Sequence, residues 1–191
     1  MSWLAVVPLK RADERKTRLA GILSPAERTD LSERLARRVI DCLSAHPDVP
    51  QVFALSPDPV AGAQWVQDRG RGLNAELAAF RETWIAANVL VIHADLPLLG
   101  PDDISALIAA AKGGRIALAP DRHGQGTNAA ALPAGSRLAF RFGPGSFAAH
   151  IGQAAGHAVP VHRPGLALDI DDPADLALAQ ARKAGAGDEW R

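Results

Sequence analysis

Four stretches of this chain combine residue types that phosphate chemistry requires. Lys10, Lys16 and Arg18 follow directly on a short apolar run, residues 3–8 (WLAVVP). Lysine supplies point charges and arginine a bidentate fork, so the group suits a triphosphate or another polyanion; a solvated loop balanced by Asp13 and Glu14 accounts for the same residues. Asp95 stands in HADLPLL, residues 93–99, at the end of the most apolar run of the chain. A strand-end acid of this kind can hold Mg²⁺, which needs only one or two protein carboxylates. In LALDIDDPADL, residues 166–176, Asp169 and Asp171 alternate and so share one face of an extended segment, while Asp172 before Pro173 is placed to cap a helix. Asp171 brought beside Asp95 would make a two-carboxylate Mg²⁺ site. The fourth stretch is a pair of glycine loops, 121–128 (DRHGQGTN) and 142–147 (FGPGSF). Their glycines permit close backbone approach to a ligand, Thr127 and Ser146 add hydroxyls, and Ser146 lies where a helix, and hence an anion-binding N-terminus, begins. Asn74, just ahead of a helical stretch, could cap it or bond a base edge.

The elements that must position these residues alternate between strand and helix. Apolar runs at 3–8, 52–55, 89–94, 116–119, 128–132, 159–162 and 167–170 read as strands. Helical spacing is expected at 25–45, 60–68, 74–87, 101–112, 145–155 and 173–183. Ser24, Pro25 and Glu27 form a helix-start signal, N-cap, first-turn proline and capping-box carboxylate. This alternation predicts an open α/β sheet covered on both faces, with ligands outside the carboxyl ends of the strands. One domain, residues 1–184, is expected, with a frayed tail at 185–191.

Composition narrows the classes further. The chain has 191 residues with 21 Lys+Arg against 21 Asp+Glu. That balance argues against a nucleic-acid surface and against a polybasic membrane binder. One cysteine, Cys42, excludes an internal disulfide and a cysteine-built zinc site. No apolar run reaches the roughly 20 residues of a membrane span, so a cytoplasmic protein is expected. Neither the P-loop pattern nor G-x-G-x-x-G is present, and His123, His150 and His162 lack metal-ligand spacing.

Taken in order, VVPLKRADERKTRLAGILSPAER, RGLNAEL, VLVIHADLPLL, LAPDRHGQGTNAAAL, FGPGSF and LALDIDDPADL resemble the 2-phospho-L-lactate guanylyltransferase family. That family includes the phosphoenolpyruvate and 3-phospho-D-glycerate guanylyltransferases of coenzyme F-420 biosynthesis. The resemblance runs from residue 3 to about residue 180. It implies a single-domain, three-layer, Rossmann-like nucleotidyltransferase fold of the glycosyltransferase-A kind, with a mixed, mostly parallel sheet. It also implies GMP transfer from GTP to the phosphate of a small phosphorylated three-carbon acid, releasing pyrophosphate. By position, Asp95, Asp171 and Asp169 would hold Mg²⁺, and Lys10, Lys16 and Arg18 would face the triphosphate. Thr127, Gly143 and Ser146 would hold the acid, and Asn74 would contact guanosine. His93 and Arg15 stand where relatives carry smaller residues. A nucleotidyltransferase for a sugar phosphate or molybdenum cofactor, or a non-catalytic nucleotide-binding module, is the alternative. A homodimer is compatible with all three.

Overall fold

A computed structural model describes residues 2–10 and 16–184. Seven strands form one sheet: β1 (Trp3–Pro8), β2 (Gln51–Ser56), β3 (Gln64–Gln67), β4 (Asn88–Ile92), β5 (Ile116–Pro120), β6 (Thr127–Leu132) and β7 (Ala158–Pro160). Their spatial order is β3-β2-β1-β4-β6-β5-β7. Every pairing is parallel except those of β6 with β4 and β5. The helices are α1 (Pro25–Ser44), α2 (Leu73–Thr83), α3 (Pro101–Ala110), α4 (Ser146–Gln153), the short α5 (Pro164–Ala167) and α6 (Pro173–Ala184).

Two apolar clusters explain why the strands read as nearly unbroken hydrophobic runs. Alternate residues of a strand face opposite sides. Ala5 and Val7 therefore join Leu90, Ile92, Val39, Leu43, Ile104 and Leu107 beneath α1 and α3. Val6 joins Val89, Val91, Leu77 and Phe80 on the α2 side, where Phe147 and Ile151 of α4 also pack. A parallel sheet covered on both faces needs both sets. The expected start of α1 is present: Ser24 Oγ accepts from the Glu27 amide, and the Glu27 carboxylate accepts from the Ser24 amide at 2.8 Å. A cap of this kind contributes about 0.5–2 kcal/mol.

The direction of β6 decides which residues reach the carboxyl end of the sheet. The loop 121–126 is short, so β5 and β6 form a hairpin, and a hairpin must be antiparallel. The amide of Asp121 donates to Gly126 O at 3.0 Å, and the Asp121 carboxylate accepts from the amides of His123, Gln125 and Gly126. A Cβ on Gly126 would lie 2.8 Å from Asp121 Oδ2, so a side chain there would displace the carboxylate that holds the loop. Because β6 runs backwards, its first residues, Thr127 and Asn128, lie at the carboxyl ends of β4 and β5. The His93 amide donates to Asn128 O at 3.0 Å.

Two expected elements differ. Residues 60–68 contain a strand rather than a helix: β3 pairs with Phe53–Ser56, and Trp65 Nε1 donates to Ser56 O at 3.0 Å. The apolar pattern there is too short to define a helical period, and the open edge of β2 decides the outcome. Residues 167–170 are not a strand. Pro164 opens α5, and the amides of Leu166 and Ala167 both donate to Arg163 O. The alternating leucine and isoleucine pattern is met without sheet pairing, because Leu168 and Ile170 pack on Leu19, Leu31 and Leu35.

Candidate active site

Three acidic side chains from two distant segments meet at the carboxyl end of β4. Asp95 follows β4, and Asp169 and Asp171 lie between α5 and α6. Each offers an oxygen within 4.8 Å of the others. The Ile170 amide donates to Asp95 O at 3.1 Å, which ties the two segments together directly.

The segment 164–172 is fixed largely by side chains that grip its backbone. Asn128, buried at the start of β6, donates its amide to Leu166 O at 3.0 Å, Ala167 O at 3.3 Å and Asp169 Oδ1 at 3.2 Å. Asp175, in the first turn of α6, accepts from the amides of Asp171 and Asp172, and Arg122 binds its other oxygen at 2.7 Å. Asp172 caps α6 as expected, accepting from the amides of Ala174 and Asp175. Asp103 holds the near end: it accepts from Arg163 Nε at 2.9 Å and from the Gly100 amide at 3.0 Å. A Cβ on Gly165 would fall 1.9 Å from Asp103 Oδ2, so α5 approaches α3 too closely for any side chain there.

Lys16 reaches the acidic group from the first loop. Its Nζ lies 2.7 Å from Asp95 Oδ2 and 3.5 Å from Asp171 Oδ1, and it donates to Ile170 O. The Lys16 side chain is 7% exposed, Asp95 24% and Asp171 53%. Arg18 stands further out, 3.8 Å from Asp171 Oδ2 and 75% exposed. Leu19, fully buried against Leu168 and Ile170, pins the turn Thr17–Leu19, which carries Arg18 and follows directly on Lys16. Lys10 is exposed at the end of the β1 extension, and Asp13, Glu14 and Arg15 lie outside the described residues.

These contacts set the charges. Burial disfavours the Lys16 ammonium, but the attraction of Asp95, with Asp171 and Asp169, outweighs it and raises the pKa. Burial would likewise raise the Asp95 carboxyl, yet the Lys16 charge holds it below the ordinary carboxylate range. Asp169 responds in the opposite direction. Burial, then the charge of Asp95, pushes it up to about 6, with the Asn128 hydrogen bond acting against the rise. Hard oxygen donors in this number suit Mg²⁺ or Mn²⁺. Asp95 Oδ1 is buried without a hydrogen-bond partner, and the ammonium of Lys16 already sits on the cluster as a stand-in cation. The residues therefore fit a divalent ion.

The glycine-loop residues form a second group. Thr127 and Ser146 are buried, and the Thr127 amide donates to Ser146 Oγ at 2.9 Å. His150 lies beneath them: its Nε2 accepts from the Arg141 amide at 2.9 Å, which assigns the proton to Nδ1, 3.0 Å from Thr127 Oγ1. Burial, reinforced by Arg141, pushes His150 down to about 4, so it is neutral near pH 7. Gly143 is exposed, and its carbonyl accepts from the Ser146 amide at the start of α4. Asn74 neither caps α2 nor lies free. It donates to Phe142 O at 3.1 Å and accepts from the Phe142 amide at 2.7 Å, tying the 140s loop to α2. The start of α2 is instead held by Glu76, whose carboxylate accepts from the amides of Arg69 and Arg71 and pairs with the Arg71 guanidinium at 2.7 Å. These contacts, led by the Arg71 hydrogen bond, hold Glu76 down to about 2. His93 packs on Phe142, with ring centroids 5.1 Å apart.

Comparison with known proteins agrees with this architecture. The family described as "Guanylyl transferase CofC like" matches residues 3–181. A phosphoenolpyruvate guanylyltransferase of Sphaerobacter thermophilus is 42% identical, over 92% of this chain and 91% of its own. One of Rubrobacter xylanophilus is 38% identical over 95% of each. Among solved structures, a putative nucleotide-diphospho-sugar transferase from Desulfovibrio desulfuricans superposes with a TM-score of 0.75 at 12% identity, covering 96% of this chain and 88% of that one. A nucleotidyl transferase from Methanothermobacter gives 0.68 at 15% identity, covering 97% and 99%. At these identities the structural likeness concerns the fold alone, a nucleotidyltransferase fold.

Proposed function

Since this chain belongs to the CofC-like guanylyl transferase family and is therefore a nucleotidyltransferase, we propose that it transfers GMP from GTP to the phosphate of phosphoenolpyruvate, releasing pyrophosphate, in the cytoplasmic biosynthesis of coenzyme F-420. The observation that carries the reading is the convergence of Asp95, Asp169 and Asp171 with Lys16 at the carboxyl end of β4. The choice of acceptor rests on the names of the relatives.

The acceptor's phosphate oxygen is already anionic, so the reaction needs no general base: the oxygen attacks the α-phosphorus of GTP in line and pyrophosphate departs. The task left to the protein is alignment and charge neutralisation. A divalent ion bound by Asp95, Asp169 and Asp171 would supply Lewis-acid neutralisation of the α-phosphate. Lys16, Arg18 and Lys10 would hold the triphosphate and the leaving pyrophosphate. On the other side, the exposed backbone at Gly143 would meet the carboxylate or phosphate of the acid, while the first amides of α4, those of Ser146 and Phe147, hold the loop by donating to Gly143 O and Gln125 O. Thr127 and Ser146 would shape that pocket from beneath, because their hydroxyls sit in internal hydrogen bonds. Asn74 would act at one remove by fixing the Phe142 loop.

The test is incubation of the protein with GTP, Mg²⁺ and phosphoenolpyruvate, 2-phospholactate or 3-phosphoglycerate separately, with mass spectrometry of the product. Guanylylated phosphoenolpyruvate is expected to dominate. Dominance of another acid reassigns the acceptor, and no nucleotidyl product with any of them overturns the reading.

A further inference from the structure

Lys16 takes up part of the oxygen set that a divalent ion would use. Its Nζ is hydrogen-bonded to Asp95 Oδ2, lies within ion-pair distance of Asp171 Oδ1 and donates to the carbonyl of Ile170 between the two acidic residues. Mg²⁺ would bond such oxygens at about 2.0–2.1 Å. An ammonium and a divalent ion on the same carboxylates would stand only a few ångströms apart and repel each other. That repulsion favours exchange of one cation for the other. The acceptor that Lys16 leaves unused, Asp95 Oδ1, is buried and without a partner.

The backbone at Lys16 is consistent with a position that gives way. Its φ of 54° and ψ of 35° are left-handed, a conformation that a residue with a Cβ adopts only when its surroundings enforce it. On its C-terminal side the chain is anchored by buried Leu19. The Lys16 side chain, in turn, is held by the carboxylates it reaches.

Resting on the metal site proposed above, we propose that Lys16 is an internal counter-cation. Its ammonium neutralises the three carboxylates until a divalent ion displaces it, and the displaced ammonium then pairs with the polyphosphate of the nucleotide. The carboxylate cluster thus keeps a cation throughout. The ion binds weakly to the protein by itself and firmly when a triphosphate offers the departing lysine a new anionic partner. Lys16 thereby couples metal loading to nucleotide loading.

The experiment is titration of Mn²⁺ into the nucleotide-free full chain, read by the electron paramagnetic resonance signal of free Mn²⁺, which does not depend on turnover. The Lys16→Met variant, which keeps the stem and loses the charge, is expected to bind Mn²⁺ at least about tenfold more tightly than the wild type. Lys16→Arg keeps the charge and is expected to bind no more tightly than the wild type. Asp95→Asn is expected to abolish the site. If Lys16→Met fails to fold, Lys16→Gln carries the same comparison. Equal or weaker Mn²⁺ binding on loss of the lysine charge, with Asp95→Asn still abolishing binding, overturns the counter-cation while leaving the metal site standing. Wild-type binding in Asp95→Asn removes the metal site and the counter-cation together.

Discussion

Replacing Asp95 or Asp171 by asparagine removes a charge while leaving side-chain size nearly unchanged. Each substitution is expected to lower the rate of pyrophosphate release by about 10²-fold or more, with a melting temperature close to that of the wild type. Full activity in either variant would detach these residues from the chemistry. A different result is expected at Gly165, where a Cβ would meet Asp103 Oδ2 and Leu98 O. Gly165→Ala should cost about 2–4 kcal/mol of stability by overpacking, measured by urea denaturation. At this scale the sequence exposed residues whose surroundings look costly to a folding argument alone, such as the strand-end Asp95 and the alternating Asp169 and Asp171. It concealed those whose role is to grip backbone. Asn128 reads as an ordinary strand residue after a threonine, and its three acceptors lie 38 to 41 positions further along the chain. Asp175 was more accessible: spaced three residues after Asp172 across a proline, it is the reciprocal partner of a helix cap.

The stretch from Pro164 to Asp172 is neither strand nor long helix, and its shape depends on outside grips. Asn128 is the central one. Asn128→Asp replaces the donor facing two carbonyls and the Asp169 carboxylate with a further acceptor, leaving buried carbonyls unpaired. This variant is expected to weaken Mn²⁺ binding by about tenfold or more and to lower stability by about 1–3 kcal/mol. Unchanged metal affinity would show that Asp169 needs no such support. The sequence could not reveal this element, because period-two alternation in LALDID is the signature of a strand, and the same alternation also serves an irregular segment whose apolar residues meet Leu19, Leu31 and Leu35. The mismatch at 60–68 has the opposite origin. There a weak helical pattern yielded to the free edge of β2, a partner invisible in local sequence. Longer elements with their own start signals, α1 above all, were legible because cap and periodicity agree.

Across the whole molecule, buried titratable groups set the response to acid. His150, at about 4 against an ordinary 6.5, binds its proton more readily in the unfolded chain, so its contribution is present above pH 6.5 and is lost as pH falls toward 4. Glu76, at about 2 against 4.5, contributes above pH 4.5 and loses that contribution toward pH 2. Asp169, at about 6 against 3.8, works the other way: the folded chain takes up its proton first, so this group favours folding as pH falls from 6 to 3.8. Urea midpoints should decline gently between pH 6.5 and 4.5 and more steeply below. His150→Gln should flatten the upper part of the decline, and an unaltered slope would contradict the assignment. The placement of the 164–184 segment divides the chain into a part that builds the sheet and a part that completes the acidic cluster. All seven strands are complete by Pro160, whereas two of the three acidic residues come after it. A chain cut after Pro160 would keep the whole hydrogen-bonded sheet and Asp95, but would lose Asp169 and Asp171 together with Leu168 and Ile170, which cover Leu19, Leu31 and Leu35. Removing everything after Pro160 is therefore expected to leave the strand pairing intact while erasing the acidic cluster, so that secondary structure and metal affinity part company in one variant.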